Sequence, residues 1–280
     1  MTSLIQRSFY TGPVQAVVLD WAGTTVDYGS CGPAAVFVET FREFGISVSL
    51  AEARQFMGIA KKDHIRAMCN LETVKDQWLA RHNRIPGPVD IDKIYARTEP
   101  MMVSALSAHS DLIPGVLETV AGLRTRHIRI GTSTGYTRSM MDVLEPSAKK
   151  QGYTPDAVVC SSDVPAGRPC PWMCYVNAIN LQVYPMNAMV KIGDTLSDIE
   201  EGINAGMWTV GITRTGNEMG LTQNEVNLLS HLERVDRLST VESRFRIAGA
   251  HYIVETVGDI LPVIDEISCC LSRGEHPVHH

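Results

Sequence analysis

The chain has 280 residues, of which 44% are hydrophobic and 20% are charged, which suffices for one large globular domain or two smaller ones. A formal net charge of −6 argues against non-specific nucleic-acid binding, because such binding needs a basic surface. No apolar run is long enough to span a membrane and MTSLIQRSFYTGP lacks the apolar core of a signal peptide, so we expect a cytoplasmic protein without nucleic-acid or membrane partners.

The first predicted element is a buried strand over the apolar run Ala16 to Leu19, and Asp20 stands where this strand ends. Gly23 and two threonines then interrupt the regular backbone. A carboxylate at the carboxyl edge of a parallel strand, followed by a turn, is where open α/β folds place reacting groups. The alternative is an aspartate that merely caps the turn.

The next stretch of roughly a hundred residues has no convincing strand, far more than one crossover helix needs. Its patterns predict helices at Pro33 to Phe44, after a Ser49–Glu52 capping box, at Asp63 to Cys69 and at Asp90 to His109 with an interruption at Pro100. We therefore predict a core domain of residues 1–27 and 110–280 and a helical cap domain of residues 28–109 over the active site. A helical decoration away from the site is the alternative.

The second half of the chain alternates strands and helices. Strands are predicted at His127 to Thr132, Asp156 to Cys160, Met189 to Gly193, Trp208 to Ile212 and His251 to Val254. Helices are predicted at Thr137 to Lys150, Pro171 to Leu181, Ser197 to Ala205 with Gly206 as C-cap, and Val257 to Leu271, before a frayed tail to His280. This alternation predicts an α/β fold with a parallel, Rossmann-like sheet covered by helices on both faces.

Seven cysteines are scattered along the chain without a Cys-x-x-Cys pair. Cys170 and Cys174 lie one helical turn apart, and Cys269 and Cys270 are adjacent, but neither pair has the spacing of a zinc site with a second ligand pair. We expect reduced, mostly buried thiols.

Polar stretches follow the second and third of these core strands. GTSTG, which contains Thr134, offers hydroxyl and backbone N–H groups that suit a phosphoryl oxygen, although a helix N-cap is the ordinary use of such residues. DVPAGRP holds Arg168 in a stiff loop, where its guanidinium can present a planar fork to a phosphoryl group. A surface ion pair is the alternative for Arg168.

Two carboxylates follow the fourth core strand in GDTLSD, at Asp194 and Asp198. Together with Asp20 they supply the hard oxygen ligands that Mg²⁺ prefers. A Gly-Asp-x-x-x-Asp turn at the end of a strand has few structural reasons to exist, so the sequence predicts a magnesium site here.

The four stretches resemble, in order and strand context, the four motifs of the haloacid-dehalogenase superfamily of phosphoryl-transfer enzymes. The resemblance implies that Asp20 attacks phosphorus, that Asp20, Asp194 and the backbone oxygen of Ala22 bind Mg²⁺, and that Asp198 supports them. Most phosphatases of that superfamily have a second Asp at the position of Ala22, which protonates the departing oxygen. Alanine cannot do this, so the leaving group must depart without that acid or take its proton elsewhere.

A closer resemblance is to the phosphonoacetaldehyde hydrolase family, also called phosphonatases. It runs through DWAGTTVDYG, MGIAKKDHIRAM, GYTRSMMD, DVPAGRPCPWMCY, VYPMN and GDTLSDIEEGINAGMWTVG. It implies cleavage of a small-molecule phosphonate, phosphonoacetaldehyde, to acetaldehyde and phosphate by a homodimeric enzyme that uses Mg²⁺ and a Schiff-base lysine in its cap.

The chemistry of that reaction explains the need for a lysine. Attack on phosphorus would otherwise expel a carbanion, whereas a protonated imine accepts the electron pair and leaves as an enamine. By its place in MGIAKK, Lys61 resembles the Schiff-base lysine, and Lys62 is the rival that sequence physics alone does not exclude. The amine of the Schiff-base lysine must be neutral to react, so the site must lower the pKa of that lysine.

Three further residues have two interpretations each. His64 is expected on the same helical face as Lys61, where it either shuttles protons during imine formation or serves as an ordinary core or surface histidine. Met57 and Tyr136 either line the pocket or simply pack. Where the family has Cys after Asp-Tyr-Gly this chain has Ser30 followed by Cys31, which puts a thiol role in doubt.

Two other functions remain possible from the sequence. One is a phosphatase or phosphomutase acting on a phosphate ester, which would be indifferent to Lys61→Arg. The other is a non-catalytic module that binds a phosphorylated ligand. The presence of Asp20, Asp194 and Arg168 argues against the second function.

Overall fold

The computed structural model describes residues 10–277, so the N-terminal nonapeptide and the end of the predicted frayed tail at His280 lie outside the described residues. Within that range, six parallel strands form one sheet in the order β3-β2-β1-β4-β5-β6. The strands are β1 (Ala16–Leu19), β2 (Arg129–Thr134), β3 (Ala157–Cys160), β4 (Met189–Gly193), β5 (Trp208–Ile212) and β6 (Tyr252–Val254). The predicted α/β fold with a parallel, Rossmann-like sheet is confirmed.

Helices account for most of the remaining chain. They are α1 (Cys31–Glu43), α2 (Leu50–Arg54), α3 (Lys61–Cys69), α4 (Glu72–His82), α5 (Pro88–Leu106), α6 (Val116–Thr125), α7 (Arg138–Lys150), α8 (Trp172–Leu181), α9 (Leu196–Asn204), α10 (Gln223–Leu228), α11 (His231–Ile247) and α12 (Ile260–Ser272). Among the described residues, none of these helices combines the length and apolar character needed to cross a membrane.

The central strands are buried on both faces, which is why they read as continuous apolar runs. In register, Leu19 of β1 lies between Thr132 of β2 and Ile192 of β4. The carboxyl ends of these three strands therefore coincide at one edge of the sheet. Asp20 and Asp194 follow β1 and β4 at this edge, beside the end of β2.

Helices α1 to α5 lie between β1 and β2, where the sequence predicts a helical insertion. Helix α5 packs along α1 and α3, around buried Phe37, Phe41 and Met102. The two connections to the core lie side by side, since His109 Nδ1 is 3.2 Å from the carboxylate of Asp27.

Several element predictions need correction. Pro100 does not interrupt α5, because the buried face that continues through Thr98, Met102 and Leu106 holds the helix despite the missing N–H. The second strand begins at Arg129, because His127 has a φ of 57° and turns the chain out of α6. Helices α4, α6, α10 and α11 were not predicted.

Candidate active site

Asp20 lies at the end of β1 on a tight turn. The N–H groups of Thr25 and Val26 both donate to the carbonyl of Trp21, at 2.8 and 3.0 Å. Within this turn Gly23 has a φ of 85°, and a Cβ there would lie 2.1 Å from Asp194 Oδ2. Glycine is thus required at this position both by its backbone conformation and by the carboxylate beside it.

Asp20 is only 5% exposed, and its carboxylate accepts a hydrogen bond from Arg168 Nη2 at 2.7 Å. Burial raises the pKa of Asp20, and the charge of Arg168 opposes that rise. The carboxylate of Asp20 is therefore fixed in orientation, and additional positive charge in the site is needed to keep it ionised.

Asp194 is fully buried behind Asp20. Its carboxylate accepts hydrogen bonds from Thr24 Oγ1 at 3.0 Å and from the backbone N–H of Asn217 at 2.7 Å. Burial, together with the charges of Asp20 and Asp198, raises the pKa of Asp194 well above its usual value. A divalent cation beside it would offset this cost.

Asp198 has a different environment because two cations contact it. Lys191 Nζ and Arg168 Nη2 lie against its Oδ1, the latter at 3.0 Å, and Thr195 Oγ1 donates to its Oδ2 at 2.6 Å. Burial alone would raise the pKa of Asp198, but Arg168 and Lys191 outweigh it and hold the pKa below its usual value. Asp198 is thus an ionised anchor within a hydrogen-bonded network.

The three carboxylates could hold a metal ion, since one oxygen from each lies within 4.8 Å of the others. The donor set fits Mg²⁺, which prefers a few carboxylate oxygens and retains several waters. Asp20 and Asp194 fit best as ligands, because the charges of Arg168 and Lys191 already neutralise Asp198, whereas Asp194 accepts from the neutral donors Thr24 and Asn217.

Arg168 is committed to more protein groups than the sequence suggests. Besides Asp20, its Nη2 donates to the Ser133 carbonyl at 2.6 Å, and its Nε donates to Glu201 Oε2 at 2.9 Å. Its Nη1 donates to the Gly58 carbonyl at 3.2 Å. Arg168 is buried, so its interpretation as a surface ion pair is wrong. Because its nitrogens already donate to protein groups, the guanidinium is not wholly free to bind a phosphoryl group.

Lys61 begins α3 and extends from the inserted helices toward the sheet edge. It is 4% exposed, and its Nζ lies 4.7 Å from the centre of the Tyr136 ring. Burial lowers the pKa of Lys61 to about 8, despite the opposing charge of Asp20. The amine is therefore far easier to deprotonate than that of an ordinary surface lysine.

Lys62, the next residue of α3, is exposed. Its side chain is 48% exposed, and its Nζ forms an ion pair with Asp92 of α5 at 2.6 Å. The geometry thus separates the two neighbouring lysines, which the sequence alone did not.

A cavity of about 20 Å³ joins the two sides of the site. It is lined by Asp20, Ala22, Ser30, Pro33, Met57, Gly58, Lys61, Thr134, Gly135, Tyr136, Arg168 and Thr195. Seven predicted site residues thus share one cavity, with Asp194 and Asp198 directly behind it. Its volume suits about one water molecule.

Gly58 and Gly135 allow the inserted segment to approach the sheet edge closely. A Cβ on Gly58 would lie 2.3 Å from Ser197 Oγ, and one on Gly135 would lie 2.5 Å from the Ile59 carbonyl. Gly58 also has a φ of 90°, which disfavours any other residue.

His64 is not among the residues that line the cavity. It is fully buried, and its ring stacks on Phe37 with 3.8 Å between centroids. Burial and the charge of Lys61 lower the pKa of His64 well below its usual value, so the ring is neutral near pH 7.

Sequence reasoning missed three members of the buried network: Ser133, Lys191 and Glu201. Ser133 Oγ donates to Glu201 Oε2 at 2.9 Å, and Lys191 Nζ lies 3.7 Å from the same oxygen. The available signal for Lys191 was its position inside the otherwise apolar strand β4, where a lysine needs a buried partner of opposite charge. Glu201 lies one turn after Asp198 on α9, where helical spacing predicts a shared face.

The family model of haloacid dehalogenase-like hydrolases matches residues 18–212. A phosphonoacetaldehyde hydrolase-like protein from Syntrophobacter fumaroxidans is 54% identical over 268 residues, covering 96% of this chain and 97% of that protein. A phosphonoacetaldehyde hydrolase from the same organism is 52% identical over 277 residues, covering 99% of this chain and 100% of that protein.

The fold of this chain as a whole is similar to that of a solved structure. The crystal structure of a phosphonoacetaldehyde hydrolase-like protein from Oleispira antarctica has a TM-score of 0.96 and 40% sequence identity. The match covers 99% of this chain and 100% of that one. Both the sequence and the backbone thus resemble one group of proteins over nearly their full lengths.

Proposed function

This chain belongs to the phosphonoacetaldehyde hydrolase family of the haloacid dehalogenase-like hydrolases, and we propose that it hydrolyses the carbon–phosphorus bond of phosphonoacetaldehyde. The products are acetaldehyde and inorganic phosphate. One observation carries the proposal: a buried lysine with a lowered pKa and a buried aspartate line the same cavity from opposite sides.

The first step uses Lys61. Its neutral amine adds to the aldehyde carbon; one proton is taken up from solvent and water leaves, which gives a protonated imine. The lowered pKa of Lys61 supports this role, because only the neutral amine is nucleophilic. Tyr136 and Met57, which also line the cavity, are proposed to hold the aldehyde end of the substrate.

The second step uses Asp20. Its carboxylate oxygen forms a bond to phosphorus as the carbon–phosphorus bond breaks, and that electron pair moves into the protonated imine to give an enamine. No oxygen leaving group needs a proton in this step. An alanine at position 22, where a phosphatase would have its acid, is consistent with this chemistry.

The phosphoryl oxygens need positive charge around them. When bound, Mg²⁺ would neutralise charge on those oxygens, and Asp20, Asp194 and the carbonyl of Ala22 are the proposed ligands, supported by Asp198. Arg168 holds Asp20 in position and lines the cavity, and Thr134 adds a hydroxyl at the end of β2.

The remaining steps restore the enzyme. Protonation of the enamine carbon and hydrolysis of the resulting imine release acetaldehyde and free Lys61. Water hydrolyses the aspartyl phosphate at Asp20. We propose His64 as a proton shuttle for the imine steps, because it lies three residues after Lys61 on α3 and its ring is neutral.

We propose the domain division of the sequence analysis as the functional one, with residues 28–109 as a cap that opens to admit substrate. The small volume of the cavity supports this motion. A cytoplasmic homodimer completes the proposal. All seven cysteines are free, which suits a reducing compartment, and size-exclusion chromatography with light scattering tests the dimer.

Trapping of the imine tests the function directly. Purified enzyme, Mg²⁺, phosphonoacetaldehyde and borohydride are mixed, and the protein is digested and mapped by mass spectrometry. We expect covalent inactivation, with the adduct on Lys61. Without borohydride we expect equal amounts of acetaldehyde and phosphate.

The exposed neighbour provides the control, because Lys62→Arg should trap and turn over as the wild type does. An adduct on Lys62 would show that the assigned lysine is wrong. Rapid hydrolysis of p-nitrophenyl phosphate with no adduct would favour a phosphate-ester hydrolase. No Mg²⁺-dependent phosphate release from either compound would favour a binding module.

A further inference from the structure

We propose that Arg54 and Asn217 form a latch through which closure of the cap positions the carboxylate of Asp194. The inference rests on the proposed function. It assigns positioning roles to two residues that lie outside the cavity lining.

Arg54 and Asn217 are joined by two hydrogen bonds across the boundary between the inserted helices and the sheet domain. Arg54 ends α2, and its Nη1 donates to Asn217 Oδ1 at 3.0 Å. Asn217 Nδ2 donates in return to the backbone carbonyl of Arg54 at 3.2 Å. This reciprocal pair fixes both the guanidinium and the local backbone of the inserted segment.

The same arginine holds the connection that leads into the inserted helices. Its Nη1 also donates to the carbonyls of Gly29 and Ser30, at 2.8 and 3.3 Å. Ser30 lines the cavity, and the N–H of Gly29 donates to the Thr215 carbonyl at 2.7 Å. An outward movement of α2 must therefore break or strain several hydrogen bonds at once.

Asn217 transmits this arrangement to Asp194. It is 3% exposed, and its backbone N–H is 2.7 Å from Asp194 Oδ2. A Cβ on the preceding Gly216 would lie 2.3 Å from Asp194 Cβ, so this loop packs directly on the aspartate. Thr215 Oγ1 also donates to the Gly23 carbonyl in the turn after Asp20, at 2.8 Å.

One short loop thus contacts the cap, the nucleophile turn and the proposed metal ligand. When the cap opens, Asn217 loses its arginine partner, and the N–H that orients Asp194 loses its support. Through the latch, the carboxylate of Asp194 is correctly placed to bind the metal only when the cap is closed.

Arg54→Ala, Asn217→Ala and the double variant test the latch by two readouts. One is the Mg²⁺ concentration that gives half-maximal phosphate release, and the other is the Mg²⁺-dependent rise in melting temperature without substrate. We expect each single variant to need about tenfold more Mg²⁺, with the double variant no worse than either one. Borohydride trapping at Lys61 without Mg²⁺ should stay within about twofold of wild type, because the latch acts on the phosphoryl side.

Arg42→Ala is the matched control, since Arg42 lies on α1 and, among residues 10–277, pairs within its own helix, with Glu39 at 2.7 Å. It should leave both readouts unchanged. An unchanged Mg²⁺ requirement in the single variants, or additive effects in the double variant, overturns the latch. Should Arg54→Ala fail to fold, Arg54→Gln carries the same expectation.

Failure of the proposed function has a different signature. If the wild type releases no phosphate from phosphonoacetaldehyde, the function is wrong. The Mg²⁺-dependent melting shifts still decide the latch in that case.

Discussion

Arg168 and Asp20 form a buried ion pair, with 2.7 Å between Nη2 and Oδ1 and the arginine side chain fully excluded from solvent. The same guanidinium donates from Nε to Glu201 at 2.9 Å, so its plane is fixed at both ends. The proposed nucleophile is therefore oriented by a residue that is itself held by α9.

We predict that Arg168→Lys abolishes phosphate release, because a lysine ammonium cannot pair with Asp20 and Glu201 in one plane. Arg168→Ala should lower the free energy of unfolding by about 3–5 kcal/mol, since it leaves buried carboxylates unpaired. Urea denaturation measures this. Arg124→Ala is the comparison, because Arg124 makes an exposed two-bond pair with Asp156 and should cost only about 0–1 kcal/mol. Equal losses in the two variants would contradict the assigned importance of burial.

The residues at strand ends could be predicted from the sequence because their position follows from local pattern. An apolar run predicts a buried parallel strand, and the residue after it must lie at the edge where ligands bind. Asp20 and Asp194 follow this rule directly. Thr134 and Arg168 were located in the same way.

Contacts between distant segments could not be predicted, because no local pattern encodes them. Arg54 and Asn217 are 163 positions apart, and only the fold brings them together. The choice between Lys61 and Lys62 likewise depends on which face of α3 is buried. By contrast, α11 was missed although its Ser230–Glu233 capping box was visible, because its long polar stretches hid a sparse apolar face.

The lowered pKa of Lys61 predicts a specific pH profile. Imine formation needs the neutral amine, whose fraction rises about tenfold between pH 7 and pH 9 when the pKa is about 8. We expect kcat/KM for acetaldehyde release to rise over that interval and then level off. A rise that continues beyond pH 10 would indicate an ordinary exposed lysine instead.

Asp20→Asn should separate the two half-reactions. Without the carboxylate no aspartyl phosphate forms, so phosphate release should fall to background, while borohydride should still trap the imine on Lys61. Because the charge of Asp20 raises the pKa of Lys61, the variant should trap substrate at lower pH than the wild type. Loss of trapping in a folded variant would contradict the division of roles between the two residues.

Removal of the proposed metal ligand gives a prediction about stability. Asp194 is buried beside two other carboxylates, so Asp194→Asn should leave the metal-free protein at least as stable as wild type. At a hundredfold excess over its dissociation constant, Mg²⁺ should stabilise the wild type by about 2.7 kcal/mol and the variant much less. Thermal melts with Mg²⁺ and with EDTA measure both effects. An equal Mg²⁺ response in the variant would exclude Asp194 as a ligand.

His64→Phe separates the two interpretations of His64. The ring is buried and stacked on Phe37, so phenylalanine preserves the packing and should change the melting temperature little. If His64 shuttles protons, the rate of imine trapping should fall roughly a hundredfold, whereas a packing residue would leave that rate unchanged. We expect the fall, because the ring of His64 is neutral and lies three residues after Lys61 on α3. A normal trapping rate would leave His64 as a core residue only.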